Sequence, residues 1–156
     1  MELTYRLATE ADLAAIIRLL ADDSLGGKRE AFALPLPMAY VRAFQAIAED
    51  ANQELTVVEA AGDLLATFQI SFLQYLTYQG GLRAQIEAVR VKREYRGQGI
   101  GTKILQYAIQ RARSRGAHLL QLTTDKQRPE AKRFYEALGF VDSHEGMKLH
   151  LQPAQT

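Results

Sequence analysis

Arg96-Gly97-Gln98-Gly99-Ile100-Gly101 sets three glycines at alternate positions directly ahead of an apolar helical pattern. Glycine loses more backbone freedom on ordering than any other residue, so it is a poor start for an ordinary helix. The first N–H groups of a helix have no partner within it, and the helix dipole adds partial positive charge at that end. Without side chains in the way, a phosphate can reach those groups. A tight turn with close helix–strand packing would use the same residues. The spacing lacks the GxxxxGK[ST] of a Walker loop. It also departs from the GxGxxG of a dinucleotide fold, whose topology is wrong here. Around the glycines, Arg90 to Arg115 holds eight basic residues (Arg90, Lys92, Arg93, Arg96, Lys103, Arg111, Arg113, Arg115) against one acid, Glu94. Such a run is either a solvated face or a surface for a polyanion, nucleic acid or phosphorylated cofactor.

The preceding stretch, LRAQIEAVRV, carries a second clue. Its apolar phase runs Leu82, Ala84, Ile86, Ala88 and then slips to Val89 and Val91. A one-residue slip is what a β-bulge produces, and a bulge splays neighbouring strands and frees backbone groups. A strand buried on both faces at its end would give the same pattern. Glu87 alternates with Ile86 and Ala88, so it should project from the opposite face.

These residues need elements to hold them. Leu3–Ala8 reads as a first strand, and Thr9 with Asp12 as a capped helix start before Leu13, Ile16, Ile17 and Leu20. SLGGKRE and Pro35, Pro37 interrupt the pattern. A second helix is expected from Met38 to Asp50, with Val41, Phe44 and Ile47 inward. ELTVVEA and LLATFQISFL are strands about a turn at Ala61-Gly62-Asp63. QYLTYQGG is a loop, followed by the slipped strand and a helix from Gly99 to Arg115 that ends at Gly116. HLLQLTT is a strand, Pro129 opens a last helix that stops at Gly139, and residues 140–151 suggest two short strands about Glu145-Gly146. The expected fold is α/β (α+β): a mixed, largely antiparallel twisted sheet, bulged and splayed at its fourth strand, with helices on both faces.

At 156 residues with net charge +1 and no cysteine, the chain suits a single domain, 1–156, without disulfides or thiolate chemistry. Residues 152–156 are expected to fray. The acidic N-terminal stretch is unlike a signal peptide and no apolar run is long enough to span a membrane, so a cytoplasmic protein is expected.

VRVKREYRGQGIG resembles motif A of the GNAT N-acetyltransferase superfamily, and LTTDKQRPEAKRFYEALGFV resembles its motif B, ending in Phe134-Tyr135-Glu136-Ala137-Leu138-Gly139-Phe140. They stand in the family's order and spacing, and the expected elements fit its fold from residue 3 to 151. The resemblance implies acetyl-coenzyme A as cosubstrate, no metal, and a primary amine of a small molecule or peptide as acceptor, attacking directly in a ternary complex. It implies the coenzyme's pyrophosphate on the N–H groups of residues 96 to 101, with Arg96, Gly97, Gln98, Gly99, Ile100, Gly101 and Thr102 as the binding turn and Arg96, Lys103 or Arg93 adding charge. The pantetheine arm would pair along Val89, Arg90 and Val91. The Val89 N–H would face the thioester carbonyl. Tyr135 occupies the family's acid position, and a phenol's ordinary pKa of about 10 suits transfer to a thiolate of about 8.5. Glu87 is the candidate base, with His118, His144 and His150 as alternatives. Arg128 stands where many relatives carry a coenzyme-contacting asparagine, and an arginine there could reach a coenzyme phosphate, a substrate carboxylate or the end of the preceding strand. The acceptor would meet the variable loops, with Lys28, Arg29, Tyr75 and Tyr78 as polar candidates.

Two other readings remain: a non-catalytic coenzyme A-binding or regulatory module, and nucleic-acid binding through the basic run. The coenzyme's phosphates account better for those charges, and no helix-turn-helix accompanies them, so neither nucleic acid nor membrane is expected as a partner. Family relatives are often dimers, which makes a homodimer an expectation.

Overall fold

A computed structural model of the protein describes residues 1–152. It divides into two compact units, Met1–Leu122 and a second beginning at Thr123. The first unit is built on a five-stranded sheet in the order β1 (Thr4–Leu7), β2 (Gln53–Ala60), β3 (Asp63–Gln74), β4 (Leu82–Val91), β5 (Leu119–Gln121). The first three pairings are antiparallel and β4–β5 is parallel. The β2–β3 turn has Ala61 and Gly62 at φ 49° and 83°, the left-handed pair that a two-residue hairpin needs to match strand twist.

Successive residues of β2 show why both faces are covered. Leu55 packs with Leu13 and Ile17 of α1 (Leu13–Ala21) and Phe44 of α3 (Met38–Glu49). Its neighbour Glu54 faces the other way and accepts hydrogen bonds from Arg111 on α5 (Ile100–Ser114). On that second side Tyr107 stacks on Tyr5 at 4.2 Å between ring centroids and meets Phe68 edge-on at 5.9 Å. Phe68, Leu65, Ile70, Ile104 and Leu105 are fully buried. The helix start at Thr9 is closed by Asp12, whose Oδ2 accepts from the Thr9 N–H at 2.7 Å. A one-turn helix, α2 (Gly26–Arg29), and a turn, α4 (Thr77–Gly80), in which Tyr78, Gln79 and Gly80 are left-handed, occupy stretches expected to be irregular. A Cβ at Gly26 would lie 1.9 Å from the Leu20 carbonyl oxygen, so only glycine lets α2 fold back on α1.

The second unit contains α6 (Pro129–Ala137), with Pro129 in its first turn and Gly139 left-handed just beyond it. The two short strands expected over 140–151 do not form there. Met147, Leu149 and Leu151 do alternate, but they are 84–95% exposed and lie on no ladder. Alternation without a partner strand does not hold extended chain. Of the expected frayed end, residues 153–156 lie outside the described residues. Among those described, no helix is long and apolar enough to cross a membrane.

Candidate active site

β4 spans the ten residues of LRAQIEAVRV. Gln69 on β3 pairs with Glu87, yet Thr67 pairs with Arg90, so Phe68 alone opposes Ala88 and Val89. That two-against-one count is a bulge, and Ala88 carries it at φ 54°. β5 pairs with β4 only from Arg83 to Gln85. Glu87 to Val91 therefore have no β5 partner among the described residues, and the strand edge opens beside the bulge.

After β4 a single 3₁₀ turn, Arg93–Tyr95, leads into the glycines. Gly97 and Gly99 sit at φ 73° and 78°, and no atom lies within 4 Å of where a Cβ would stand on either. Gly99 is the residue that caps α5. Among the described residues the amides of 97–102 find no acceptor, and Lys103 is the first to close a helical bond, onto Gly99 O at 3.2 Å. The amide of Arg96, expected to join this group, instead donates to Arg93 O. The unpaired set is thus 97–102, the right donors for a diphosphate.

Acids remote in sequence take up most of the basic run. Arg93 and Arg96 pair with Asp22, Arg90 with Asp23, and Arg111 and Arg115 with Glu54. Asp22 and Asp23 follow the C-terminus of α1, where the dipole opposes acids, and the three arginines reverse that local field. Arg96 further donates through Nε to Val91 O and through Nη2 to Asp22 O, at 2.9 and 3.0 Å. Its guanidinium ties β4 to α1. Glu54 is buried and holds Arg111 through contacts of 2.6–3.0 Å, which raises the arginine's pKa. Lys92, Lys103 and Arg113 are the members of the run without an acidic partner among the described residues.

Glu87 is exposed, with Ile86 before it buried. A chain of amides positions its carboxylate: Gln121 Nε2 donates to Gln85 Oε1 at 2.8 Å, and Gln85 Nε2 donates to Glu87 Oε1 at 2.6 Å. Gln85 and Gln121 are register partners, so the sheet itself aligns the relay. Sequence reasoning missed both glutamines. Their signal was present in part, since Gln85 and Glu87 are two apart on one strand. Gln121 could be found only from the pairing.

The other candidates are scattered. Tyr75 and Tyr78 lie against the Arg83 guanidinium, 4.4 and 5.5 Å from their ring centroids, at the opposite end of β4 from the bulge. The His118 ring lies tilted against Tyr78, 4.9 Å between centroids, and its Nδ1 is 2.9 Å from Leu82 O. Lys28 and Arg29 are exposed on α2. In the second unit, Tyr135 is half-buried on α6, edge-on to Phe134 and Phe140 at 5.2 and 5.8 Å. Arg128 caps the same helix, its carbonyl accepting from Ala131 and Lys132. His144 is 2.7 Å from Ser143 Oγ, and His150 is exposed.

The profile of the acetyltransferase (GNAT) family matches residues 15–140. A crystal structure described as a transcriptional regulator from Bacillus halodurans is 54% identical, with a TM-score of 0.93 over 96% of this chain and 100% of that one. Among curated proteins, an L-methionine sulfoximine/L-methionine sulfone acetyltransferase of Pseudomonas paraeruginosa is 29% identical over 90% of this chain and 81% of its own. N-alpha-acetyltransferase 30 of Schizosaccharomyces pombe is 42% identical over 59 residues, which span 38% of this chain and 39% of that protein.

Proposed function

The chain belongs to the acetyltransferase (GNAT) family, and on that premise we propose that it transfers the acetyl group of acetyl-coenzyme A to a primary amine of a small molecule or peptide. The observation that carries this reading is the row of amides at 97–102, unpaired among the described residues, directly beyond the stretch of β4 that β5 does not pair. Gly97 to Thr102 would seat the pyrophosphate, with Lys103 nearby. Arg96 contributes by fixing the turn through Val91 and Asp22 rather than by charge. The pantetheine arm runs along the open edge at Val89, Arg90 and Val91 as an added strand.

In the reaction the amine nitrogen attacks the thioester carbonyl carbon, the C–N bond forms and the C–S bond breaks. The acceptor first loses its ammonium proton to Glu87, directly or through water, with Gln85 holding the carboxylate. The Val89 N–H stabilises the oxyanion. The thiolate leaves and takes a proton, for which Tyr135 is the donor assigned by its place in the FYEALGF segment. Arg128 is assigned to the coenzyme on the same basis. A homodimer and a cytoplasmic location belong to this proposal. Thermal unfolding with and without coenzyme A tests its foundation, since a ligand of the native state must raise the melting temperature. Thiol release from acetyl-coenzyme A with added amines then tests the chemistry.

A second reading, a coenzyme A-binding regulatory module, draws support from the Bacillus halodurans relative described as a transcriptional regulator. Five of the eight basic residues in the 90–115 run are paired with three acids within the first unit, which weighs against that run as a DNA-binding face. Coenzyme binding without turnover on any amine would favour this alternative.

A further inference from the structure

Ala88, the bulge residue, borders a cavity of about 140 Å³ between α1, α3 and the sheet. Its walls include Ile17, Leu20, Phe44, Ile47 and Leu55, and no charged side chain lines it. The three polar side chains that do are satisfied elsewhere. Thr67 Oγ1 donates to Thr56 O at 3.0 Å, and Gln69 Nε2 donates to Gln53 Oε1 at 2.8 Å. The Tyr40 hydroxyl accepts from the Ala31 N–H and donates to Glu30 Oε2, both at 2.9 Å, and burial raises its pKa, which keeps it protonated. The cavity thus offers an occupant apolar surface and no unmet hydrogen bond. An apolar cavity of about 150 Å³ accepts a group the size of benzene.

The rim is where the chemistry would be. Ala88 and Ala43, both lining residues, are exposed, so the cavity reaches solvent between α3 and the bulge. Ala88 lies between Glu87, assigned above as base, and Val89, assigned as oxyanion donor. Gln69, on the cavity wall, is the register partner of Glu87. A group seated inside would leave an attached amine at the rim, beside the carboxylate.

We propose that the acceptor is a primary amine carrying an apolar group about the size of a phenyl ring or a branched butyl chain, and that this group fills the cavity. The inference rests on the acyl-transfer reading. It commits to uncharged, apolar substituents over a second cation or an acid, since a buried charge would find no partner on these walls.

The test is a graded series: methylamine, isopentylamine, 2-phenylethylamine, 2-(1-naphthyl)ethylamine and the dication of cadaverine. Two readouts are taken, thiol release from acetyl-coenzyme A and the shift in melting temperature with coenzyme A present. Each buried methylene is worth roughly four-fold, so kcat/KM should rise at least 30-fold from methylamine to 2-phenylethylamine and fall again for the naphthyl compound. Thermal shifts should follow the same order. Ala43→Phe narrows the rim and should move the optimum to smaller amines; Ala43→Leu, milder on an exposed helix position, serves if the first variant does not fold. Transfer fastest with methylamine or cadaverine, or indifferent to size, would overturn the cavity assignment and leave acyl transfer intact. Size-graded stabilisation with no transfer to any amine would instead overturn the acyl-transfer reading, and with it the acceptor role argued here.

Discussion

The turn at 97–102 and the cavity under α1 and α3 both border the C-terminal half of β4, and they are made of different material. The turn is backbone: six amides, two left-handed glycines and the first turn of α5. The cavity is side chain, drawn from α1, α3, β2, β3 and the single bulge residue Ala88. Backbone sites tolerate little change, because the donors cannot be moved without moving the chain. Side-chain sites change with each substitution while the fold stays put. Coenzyme binding and acceptor choice should therefore be separable by mutation.

The sharpest separation is expected at Gly99. Gly99→Val forces a branched side chain into a left-handed conformation, costing about 1–2 kcal/mol and moving the turn that aims the amides. Coenzyme A affinity by calorimetry should fall at least about 100-fold on the pyrophosphate assignment, whereas Ala43→Phe should alter the acceptor's KM and leave the coenzyme's Kd alone. If both substitutions weaken the coenzyme equally, the division between the two regions is wrong. Next in size, Glu87→Gln should lower kcat/KM about 100-fold at pH 7, and the deficit should shrink as pH approaches the amine's own pKa of about 10. A deficit constant with pH would leave Glu87 a positioning role only.

Smaller effects probe the frame that holds both regions. Glu54→Gln strips a buried partner from Arg111 and Arg115 and should destabilise the protein by about 2 kcal/mol in urea, with coenzyme affinity unchanged because Arg111 lies far along α5 from Gly99. Asp12 is held at a pKa of about 2 by hydrogen bonds from Arg6 first, and also from the Thr9 N–H. Its folded value lies below its ordinary 3.8, so it stabilises the fold above that value and the benefit is lost as pH falls through about 2. Asp12→Asn should cost about 1 kcal/mol at pH 7 and flatten the loss of stability between about pH 4 and 2.

The same contrast decides what could be read in advance. Backbone features announce themselves locally: β4 runs over the ten residues read as a strand, the phase slip at Ala88-Val89 is a bulge, and α5 starts one residue after the expected Gly99. Features made by tertiary contact did not. The basic run looked like a polyanion surface because Asp22, Asp23 and Glu54, which pair with five of its residues, lie about 57 to 74 positions from their partners in sequence. The Gln121–Gln85–Glu87 relay exists only through the β4–β5 register. The cavity has no sequence signature, since its walls are ordinary core positions of helices and strands. Residues 140–151 show the reverse failure, a local alternation that no neighbouring strand completes.

The central claim is that coenzyme A is held by the backbone amides of the glycine turn. Amide-resolved NMR of the labelled protein, titrated with coenzyme A, tests it most directly. The amides of 97–102 should move together and saturate with the binding isotherm, while those around the cavity at Ile17, Phe44 and Ile47 stay still until an amine is added. Saturable binding that leaves 97–102 unperturbed and shifts another cluster instead would contradict the account.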